Sequence, residues 1–342
     1  MKKPLKIKFV DFHEGFQPET TFLWSRLWEQ YDVQLSETPD WIVFSVFGSE
    51  HLAYNHCVKI FWTGENQAPD FNLCDYAIGF EHLQFEDRYL RLPLWTLYPT
   101  DVQAMLTKHQ HPEIRQKTGF CSFVYSNSNA SPARQEFYDA LTRYQPIHSG
   151  GRFLNNTGGP VADKLAFQQQ HKFAIAFENT SHAGYTTEKL VQAFAAQTIP
   201  IYWGDPRVTD DFNPEAFINC HDYADWNAVV ERVRQINEDE ELWQQIVSQP
   251  ALRNMHLAEE YMAQADCFLR HIFDQKPTAA RRYSRDYWTL KQLRIRQREH
   301  RAYKRSLFGL LHCVFRKNFY PLARRNARLW NATQTLMRTL KM

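Results

Sequence analysis

Only 12 glycines and 16 prolines punctuate 342 residues, too few for a collagen-like or low-complexity chain. The six cysteines (Cys57, Cys74, Cys121, Cys220, Cys267 and Cys313) lie far apart without a CxxC pair. That spacing argues against a zinc ribbon or a disulfide framework and fits a reducing cytoplasm. No apolar run approaches the length of a membrane span; the longest, Leu307 to Phe315, is interrupted by His312. The first residues alternate charge and apolarity, without the apolar core of a secretory signal, and read as a first β-strand. The histidines show no HxxxH spacing, and His148, His171 and His182 read as surface or packing residues, so neither a metal nor another cofactor is expected.

What is present is a chain able to fold. Apolar residues make up 44% and aromatics 15%, which separates it from disordered sequences. Its length favours two compact domains plus an appendage. The net charge of +2 hides a division: 18 of the 40 basic residues but only 2 of the 38 acids lie from Lys276 onward. The tail is strongly basic and the body acidic.

Short apolar runs at Ile7–Phe12, Trp41–Phe47, Val58–Trp62, Tyr76–Phe80 and Tyr89–Trp95, with an amphipathic stretch at Phe22–Tyr31, have a βαβ rhythm. The polar stretch Thr100–Lys117 reads as a boundary. A second alternation follows: strand Phe120–Tyr125, helix Ser131–Tyr144, strand Phe173–Phe177, helix Thr187–Gln197 and strand Ile199–Trp203. Asp225–Gln249 reads as helical. The expected fold is α/β, with two Rossmann-like domains (1–115 and 116–275) facing across a ligand cleft, and a basic amphipathic helical tail over 276–342.

Three features carry chemistry. Lys172 to Leu190 has the form strand, turn, helix start, with Thr186 or Thr187 placed to cap the helix and Lys189 in its first turn; a helix start beside a lysine suits a diphosphate. The plainer reading is a surface lysine on an amphipathic helix. Ser131 and Pro132 open another helix with Arg134 in its first turn, where the helix dipole disfavours a cation. An anion is therefore expected nearby, either a ligand or a protein carboxylate such as Glu136. Finally, the apolar strand Val58–Trp62 ends in Thr63-Gly64 and presents Glu65, where a catalytic carboxylate would sit; an ordinary loop glutamate is the alternative.

At these residues the sequence resembles the bacterial α-1,3-fucosyltransferases, inverting glycosyltransferases with two Rossmann domains (GT-B type) that use GDP-fucose. The matching blocks are Phe61-Trp-Thr-Gly-Glu-Asn66, Phe71 to Phe80, Asp87 to Leu94, Phe177-Glu-Asn179, Gly184 to Lys189 and Ile199 to Gly204, together spanning Lys6 to Asp222. The linker before Phe120 is shorter than in the best-known members, and Phe80-Glu81-His82-Leu83 departs from their acidic pattern. The resemblance implies transfer of L-fucose from GDP-fucose to O3 of N-acetylglucosamine in Galβ1,4GlcNAc-type acceptors, such as Lewis x or lipopolysaccharide glycans, with α-1,4 or mixed linkage as the alternative. It places Glu65 as general base and Arg134 and Lys189 on the donor diphosphate. Asn179, Tyr185 and Glu188 fall on donor-site positions, Glu188 holding the ribose or offsetting the positive charge. No Asp-X-Asp pair of metal-recruiting transferases occurs, so the arginine, the lysine and the helix end would replace the metal.

In the tail, Tyr303, Leu307, Leu310, Leu311 and Val314 form a helical apolar stripe with Lys304, Arg305, Arg316 and Lys317 on other faces, and a second stripe begins at Leu322. This pattern fits helices lying on an anionic bilayer, and it resembles the family's basic tails. A peripheral place at the cytoplasmic face of the bacterial inner membrane is expected. Packing of the tail on the acidic body, or in a homodimer, is the alternative. A nucleic-acid binder using Arg281 to Arg305 is opposed by the acidic body, which phosphates would repel, and a non-catalytic lipid-bound scaffold is the third reading.

Overall fold

The computed structural model describes residues 2–107, 117–128 and 130–306. In chain order, the first elements are β1 (Lys3–Val10), α1 (Phe22–Gln30), β2 (Tyr31–Leu35), β3 (Trp41–Phe44), β4 (Val58–Trp62), β5 (Tyr76–Gly79), β6 (Tyr89–Arg91) and α2 (Pro99–Thr107). They are followed by β7 (Gly119–Phe123), α3 (Ala133–Tyr144), β8 (His148–Ser149), α4 (Lys164–Gln169), β9 (His171–Phe177), α5 (Glu188–Ala195), β10 (Ile199–Trp203) and β11 (Ile218–Asn219). Four helices close the described chain: α6 (Trp226–Glu238), α7 (Glu240–Val247), α8 (Leu257–Phe273) and α9 (Tyr287–Arg305).

Two parallel sheets organise these elements, in orders β2-β1-β3-β4-β5-β6 and β11-β10-β9-β7-β8. The α/β class with two Rossmann-like sheets, as in the GT-B type, is the one expected from the sequence. β3, β5 and β7 are buried along their whole length, as continuous apolar runs must be when both faces of a parallel sheet are covered. α1 starts where Thr21 Oγ1 accepts from the Trp24 N–H at 3.2 Å, and its Leu23 and Leu27 are buried.

The compact units break elsewhere than at the expected 115/116 and 275/276. One unit contains the chain up to Pro93 and the stretch from Glu259; the other is Leu94–Ala258. Packing explains both differences. Trp95 Nε1 donates to Asp211 Oδ2 at 3.0 Å, its ring meets Phe212 at 5.3 Å, and Gln192 Nε2 donates to Asp101 Oδ2 at 2.9 Å, tying the stretch after Pro93 to the second unit. α8 returns the chain to the first unit, where Phe273 lies 4.9 Å from Trp41 and Phe268 lies 6.0 Å from Tyr76.

The start of the basic tail is also part of the first unit. Arg282 Nη2 donates to Asp87 Oδ2 at 2.7 Å, Arg285 Nη2 to fully buried Asp75 at 3.2 Å, and Arg296 Nη1 to Asp70 at 2.7 Å. Packing on the acidic body, the alternative weighed for the tail, therefore holds for 276–306. α9 nevertheless leaves Tyr287 and Trp288 two-thirds exposed. The apolar stripes beyond Ser306 lie outside the described residues, and no described helix is long and apolar enough to cross a membrane.

Local differences follow from burial. The polar stretch read as a boundary opens with α2, whose Val102 and Met105 are buried. Tyr31 starts a strand instead of ending a helix. Asp225–Gln249 is two helices, because Asp239 leaves helical geometry and caps the second through its Oδ1, 3.0 Å from the Leu242 N–H.

Candidate active site

Parallel strands present ligands beyond their carboxyl ends, and there the second unit assembles most of the expected residues. β7 runs out through Tyr125 toward α3, β9 through Glu178 and Asn179 toward α5, and β10 through Gly204 and Asp205. Arg134, Asn179, Tyr185, Glu188 and Lys189 gather at this edge.

Arg134 is 1% exposed. Its Nη2 donates to Asn179 Oδ1 at 2.8 Å and to the Phe177 carbonyl at 3.1 Å, its Nη1 to the Asn127 carbonyl at 3.2 Å, and its guanidinium lies 4.0 Å from the Tyr125 ring centroid. Every acceptor is neutral, and Nε has none. The carboxylate partner weighed from the sequence is absent among the described residues, where Glu136 instead accepts from Trp226 Nε1 at 3.4 Å. Burial lowers the Arg134 pKa, opposed by the nearby Tyr125, Glu178 and Glu188. Ser131 Oγ accepts from the Ala133 N–H at 3.3 Å, but the cap position itself falls to Pro132, one residue later than expected and without a side-chain bond.

Lys189 stands in the first turn of α5. Its Nζ is 3.1 Å from Glu178 Oε2, 3.1 Å from Glu188 Oε1 and 2.8 Å from Thr187 Oγ1. Burial lowers the lysine pKa, but Glu178 and Glu188 outweigh it and hold the ammonium above the ordinary range. Thr187 occupies the cap position without capping through its side chain: its N–H donates to Glu178 Oε1 at 2.8 Å, and its hydroxyl to Oε2 at 2.8 Å. Gly184, at φ 87°, lets the chain turn into this helix start.

Glu188 is held below the usual carboxylate range: burial raises it, but Lys189 and Lys164 prevail. Lys164 Nζ donates to Gln192 Oε1 at 2.7 Å. Tyr185, 5% exposed, raises both Arg134 and Lys189 electrostatically. Three cations and three carboxylates share this edge, Asp205 being 2% exposed and bonded by the Thr186 hydroxyl at 3.1 Å, so an anion is favoured locally, at Arg134, which no carboxylate bonds among the described residues. Among the described residues no group of three or more His, Cys, Asp or Glu is arranged to hold a metal ion.

Glu65 belongs to the other unit. It follows β4, is exposed, and its N–H donates to Thr63 Oγ1 at 3.1 Å.

Sequence reasoning passed over Glu178, Lys164 and Tyr98. Glu178 has no exposed surface, and burial pushes its carboxyl up against the opposing effect of Lys189. A Cβ at position 204 would come 2.7 Å from the Glu178 Cβ, so glycine there leaves room for the carboxylate. The signal was the glutamate inside the block Phe177-Glu-Asn179. Tyr98, 37% exposed but with its phenol raised by desolvation and by the nearby Glu188 carboxylate, had no signal, being 90 residues away.

Comparison with known proteins decides the family. The fucosyltransferase FucT N-terminal domain model matches residues 7–98, and the glycosyltransferase family 10 (fucosyltransferase) C-terminal model matches residues 114–275. A solved alpha1,3-fucosyltransferase superposes with TM-score 0.67 at 31% identity, over 79% of this chain and 91% of that one. This chain belongs to the family 10 fucosyltransferases. Its curated relatives include the alpha-(1,3)-fucosyltransferase FucT of Helicobacter pylori, 36% identical over 275 residues, 68% of this chain and 57% of the relative. The fucosyltransferase chain thus spans little more than half the length of that protein. The 4-galactosyl-N-acetylglucosaminide 3-alpha-L-fucosyltransferase 9 of Homo sapiens is 29% identical over 175 residues, 48% of this chain and 46% of its own. A solved alpha1,3-fucosyltransferase with GDP-fucose matches at TM-score 0.65 and 29% identity.

Proposed function

We propose that this protein transfers L-fucose from GDP-fucose, with inversion, to O3 of N-acetylglucosamine in Galβ1,4GlcNAc-type acceptors. The supporting observation is Arg134: a guanidinium 1% exposed, without a carboxylate partner among the described residues, and with Nε unmatched. Burying such a charge is costly unless an anion completes it. Lys189 and the N–H groups of the α5 start add positive potential at the same edge.

In this reading Leu94–Ala258 holds the donor and the first unit the acceptor. Arg134 and Lys189 stabilise the departing GDP diphosphate, and Asn179, Tyr185 and Glu188 line the donor site. Glu65 accepts the proton of the attacking hydroxyl. The new C–O bond forms as the bond between fucose and phosphate breaks, and the electron pair leaves with the diphosphate. No metal or other cofactor is invoked, because side chains supply the positive charge.

For the tail we propose a peripheral place on the anionic cytoplasmic face of the inner membrane. Its support is the exposed Tyr287 and Trp288 at the head of the basic helix α9, with Lys291 Nζ 5.2 Å from the Trp288 ring.

Incubation with GDP-fucose and either Galβ1,4GlcNAc or Galβ1,3GlcNAc, with the linkage read by NMR, tests the activity. Fucose on O3 of the first isomer is expected; product only from the second would establish α-1,4 linkage, and none from either would reject the proposal. Lys189→Ala should weaken GDP binding about 10- to 100-fold by calorimetry, the range of a charge-assisted contact. Unchanged affinity would remove Lys189 from the diphosphate site.

A further inference from the structure

The first unit carries a second polar arrangement, beyond the carboxyl ends of β1 and β3. The order β2-β1-β3-β4 makes the β1/β3 boundary the point where successive connections leave in opposite directions, the place where open parallel sheets receive ligands. Asp11 follows β1 with a left-handed backbone, φ 61°. Its Oδ1 accepts from the Glu50 N–H at 2.7 Å, and its Oδ2 from the His51 N–H at 2.9 Å. That same Oδ2 lies 2.6 Å from His51 Nδ1. Glycine at 48 keeps the approach open, since a Cβ there would strike Asp11 Oδ1.

This geometry fixes the imidazole. Burial raises the Asp11 pKa, but the bonds from the His51 ring and from the two backbone N–H groups outweigh it and hold the carboxyl below its ordinary value. An ionised carboxylate only accepts, so the proton of neutral His51 sits on Nδ1. The lone pair is left on Nε2, which has no partner among the described residues. The His51 ring also stacks on Phe44, with centroids 4.2 Å apart, and its side chain is 10% exposed. An oriented, nearly buried ring with one open acceptor nitrogen results.

On the Asp11 side, Phe12 follows Asp11 in the chain, the Phe47 N–H donates to the Asp11 carbonyl at 2.8 Å, and Phe12, Phe16, Phe47 and Trp62 are half-buried. Phe12 stacks on Phe16 at 3.9 Å and meets Trp62 at 5.9 Å. Flat apolar rings beside a few aimed polar atoms suit a carbohydrate, whose pyranose C–H faces lie on rings while its hydroxyls seek acceptors.

We propose that the Asp11–His51 pair is a hydroxyl-binding element of the acceptor subsite: His51 Nε2 accepts from a sugar hydroxyl, and Asp11 acts through His51 as a positioning residue. The inference rests on the fucosyl-transfer reading and adds to it the residues that hold the acceptor. It competes with a purely structural role, in which Asp11 caps the short 3-10 helix Glu50–Ala53 and His51 merely completes that cap.

Two substitutions in the full chain separate these roles. His51→Asn keeps a donor close to the position of Nδ1, and so the bond to Asp11, but removes Nε2. His51→Gln instead brings an amide oxygen toward the position of Nε2. Acceptor disaccharide binding is followed by NMR titration without donor, alongside acceptor KM, GDP affinity and thermal midpoint. With the subsite, His51→Asn weakens disaccharide binding and raises acceptor KM about tenfold at unchanged GDP affinity, and His51→Gln recovers part of the loss. A His51→Asn protein with wild-type disaccharide affinity overturns the proposal, as does a His51→Gln protein no better than His51→Asn. If the wild type transfers no fucose yet binds the disaccharide through His51, the transfer reading fails and the subsite stands.

Discussion

Lys189 Nζ sits 3.1 Å from Oε2 of Glu178, a carboxylate with no exposed surface. The pair is held from both sides. Thr187 donates its N–H and its hydroxyl to Glu178 and accepts from Lys189, so the lysine is aimed by a carboxylate that a ligand need not touch. Glu178→Gln keeps the volume that glycine at 204 accommodates but removes the buried counter-charge. Breaking one side of a buried pair costs about 3–5 kcal/mol, and the remaining Glu188 places this case toward the lower end. The unliganded variant should therefore melt earlier. Because GDP brings back negative charge, the thermal shift on adding GDP should be larger in the variant than in the wild type. Scanning calorimetry with and without GDP reads both, and an unchanged unliganded midpoint would show that the pair contributes nothing.

Glu65→Gln removes the proposed proton acceptor while leaving the proposed donor residues of the second unit unaltered. General base catalysis contributes about 10²- to 10⁴-fold, so turnover should fall by that order with GDP affinity within about twofold of wild type. Initial rates with a soluble acceptor, together with calorimetry of GDP, test the pair of expectations. Retained turnover would assign the base elsewhere.

How far the sequence reached depended on the range of the interaction. The placement of Arg134 and Lys189 at helix starts was legible because a helix start is local: Ser131-Pro132 and Thr186-Thr187 announce it within a few residues, and a cation there is conspicuous. The strands of both sheets were legible as apolar runs, except β2, β8 and β11. β2 is directly joined to α1, and its apolar residues extend the helical pattern; β8 and β11 have two residues each. Glu178 was hidden because a glutamate inside an apolar block gives no sign of the lysine that pairs with it. The Asp11 and His51 pairing spans 40 residues, and the return of α8 to the first unit crosses the whole second unit. Neither leaves a periodic trace.

Lys59 predicts a pH dependence. It has no exposed surface, its Nζ donates to Asn55 Oδ1 at 3.4 Å, and burial, aided by repulsion from Arg285, lowers its pKa to about 8 against the partial opposition of Asp75. In the unfolded chain the lysine titrates near its ordinary value of about 10.4. Between these values the unfolded state binds a proton that the folded state has released, so this group makes stability rise with pH from about 8 to about 10.4. Below pH 8 the ammonium is carried in both states, and its burial is a standing cost. Lys59→Met should remove that cost, raising the thermal midpoint at pH 7 and flattening the dependence above pH 8. Denaturant titrations from pH 7 to pH 10 on both proteins measure it, and equal slopes would mean that the lysine keeps its proton when buried.

The basic tail yields the last prediction, because its beginning braces the first unit. Removing everything from Lys276 strips Arg285 from Asp75 and Arg282 from Asp87. Asp75 has no exposed surface, and it would also lose the N–H groups of Arg282 and Tyr283, at 2.6 and 3.2 Å. Asp75 keeps the Lys59 N–H at 2.9 Å but loses its arginine, and breaking one side of a buried pair should cost roughly 3–5 kcal/mol, a large part of the marginal stability of an ordinary domain. A chain ending at Ser306 keeps all of these bonds. The shorter chain should therefore aggregate or lose GDP-fucose turnover, while the chain ending at Ser306 stays folded and active on a soluble acceptor. Vesicle sedimentation then isolates the proposed membrane role: Trp288→Ala in the full chain should reduce binding to vesicles rich in phosphatidylglycerol without changing turnover of a soluble acceptor, since its ring is 67% exposed and the residues it meets, Tyr287 and Lys291, lie on the same helix. A chain ending at Gln275 that folds with a wild-type thermal midpoint would show the arginine clamp to be dispensable.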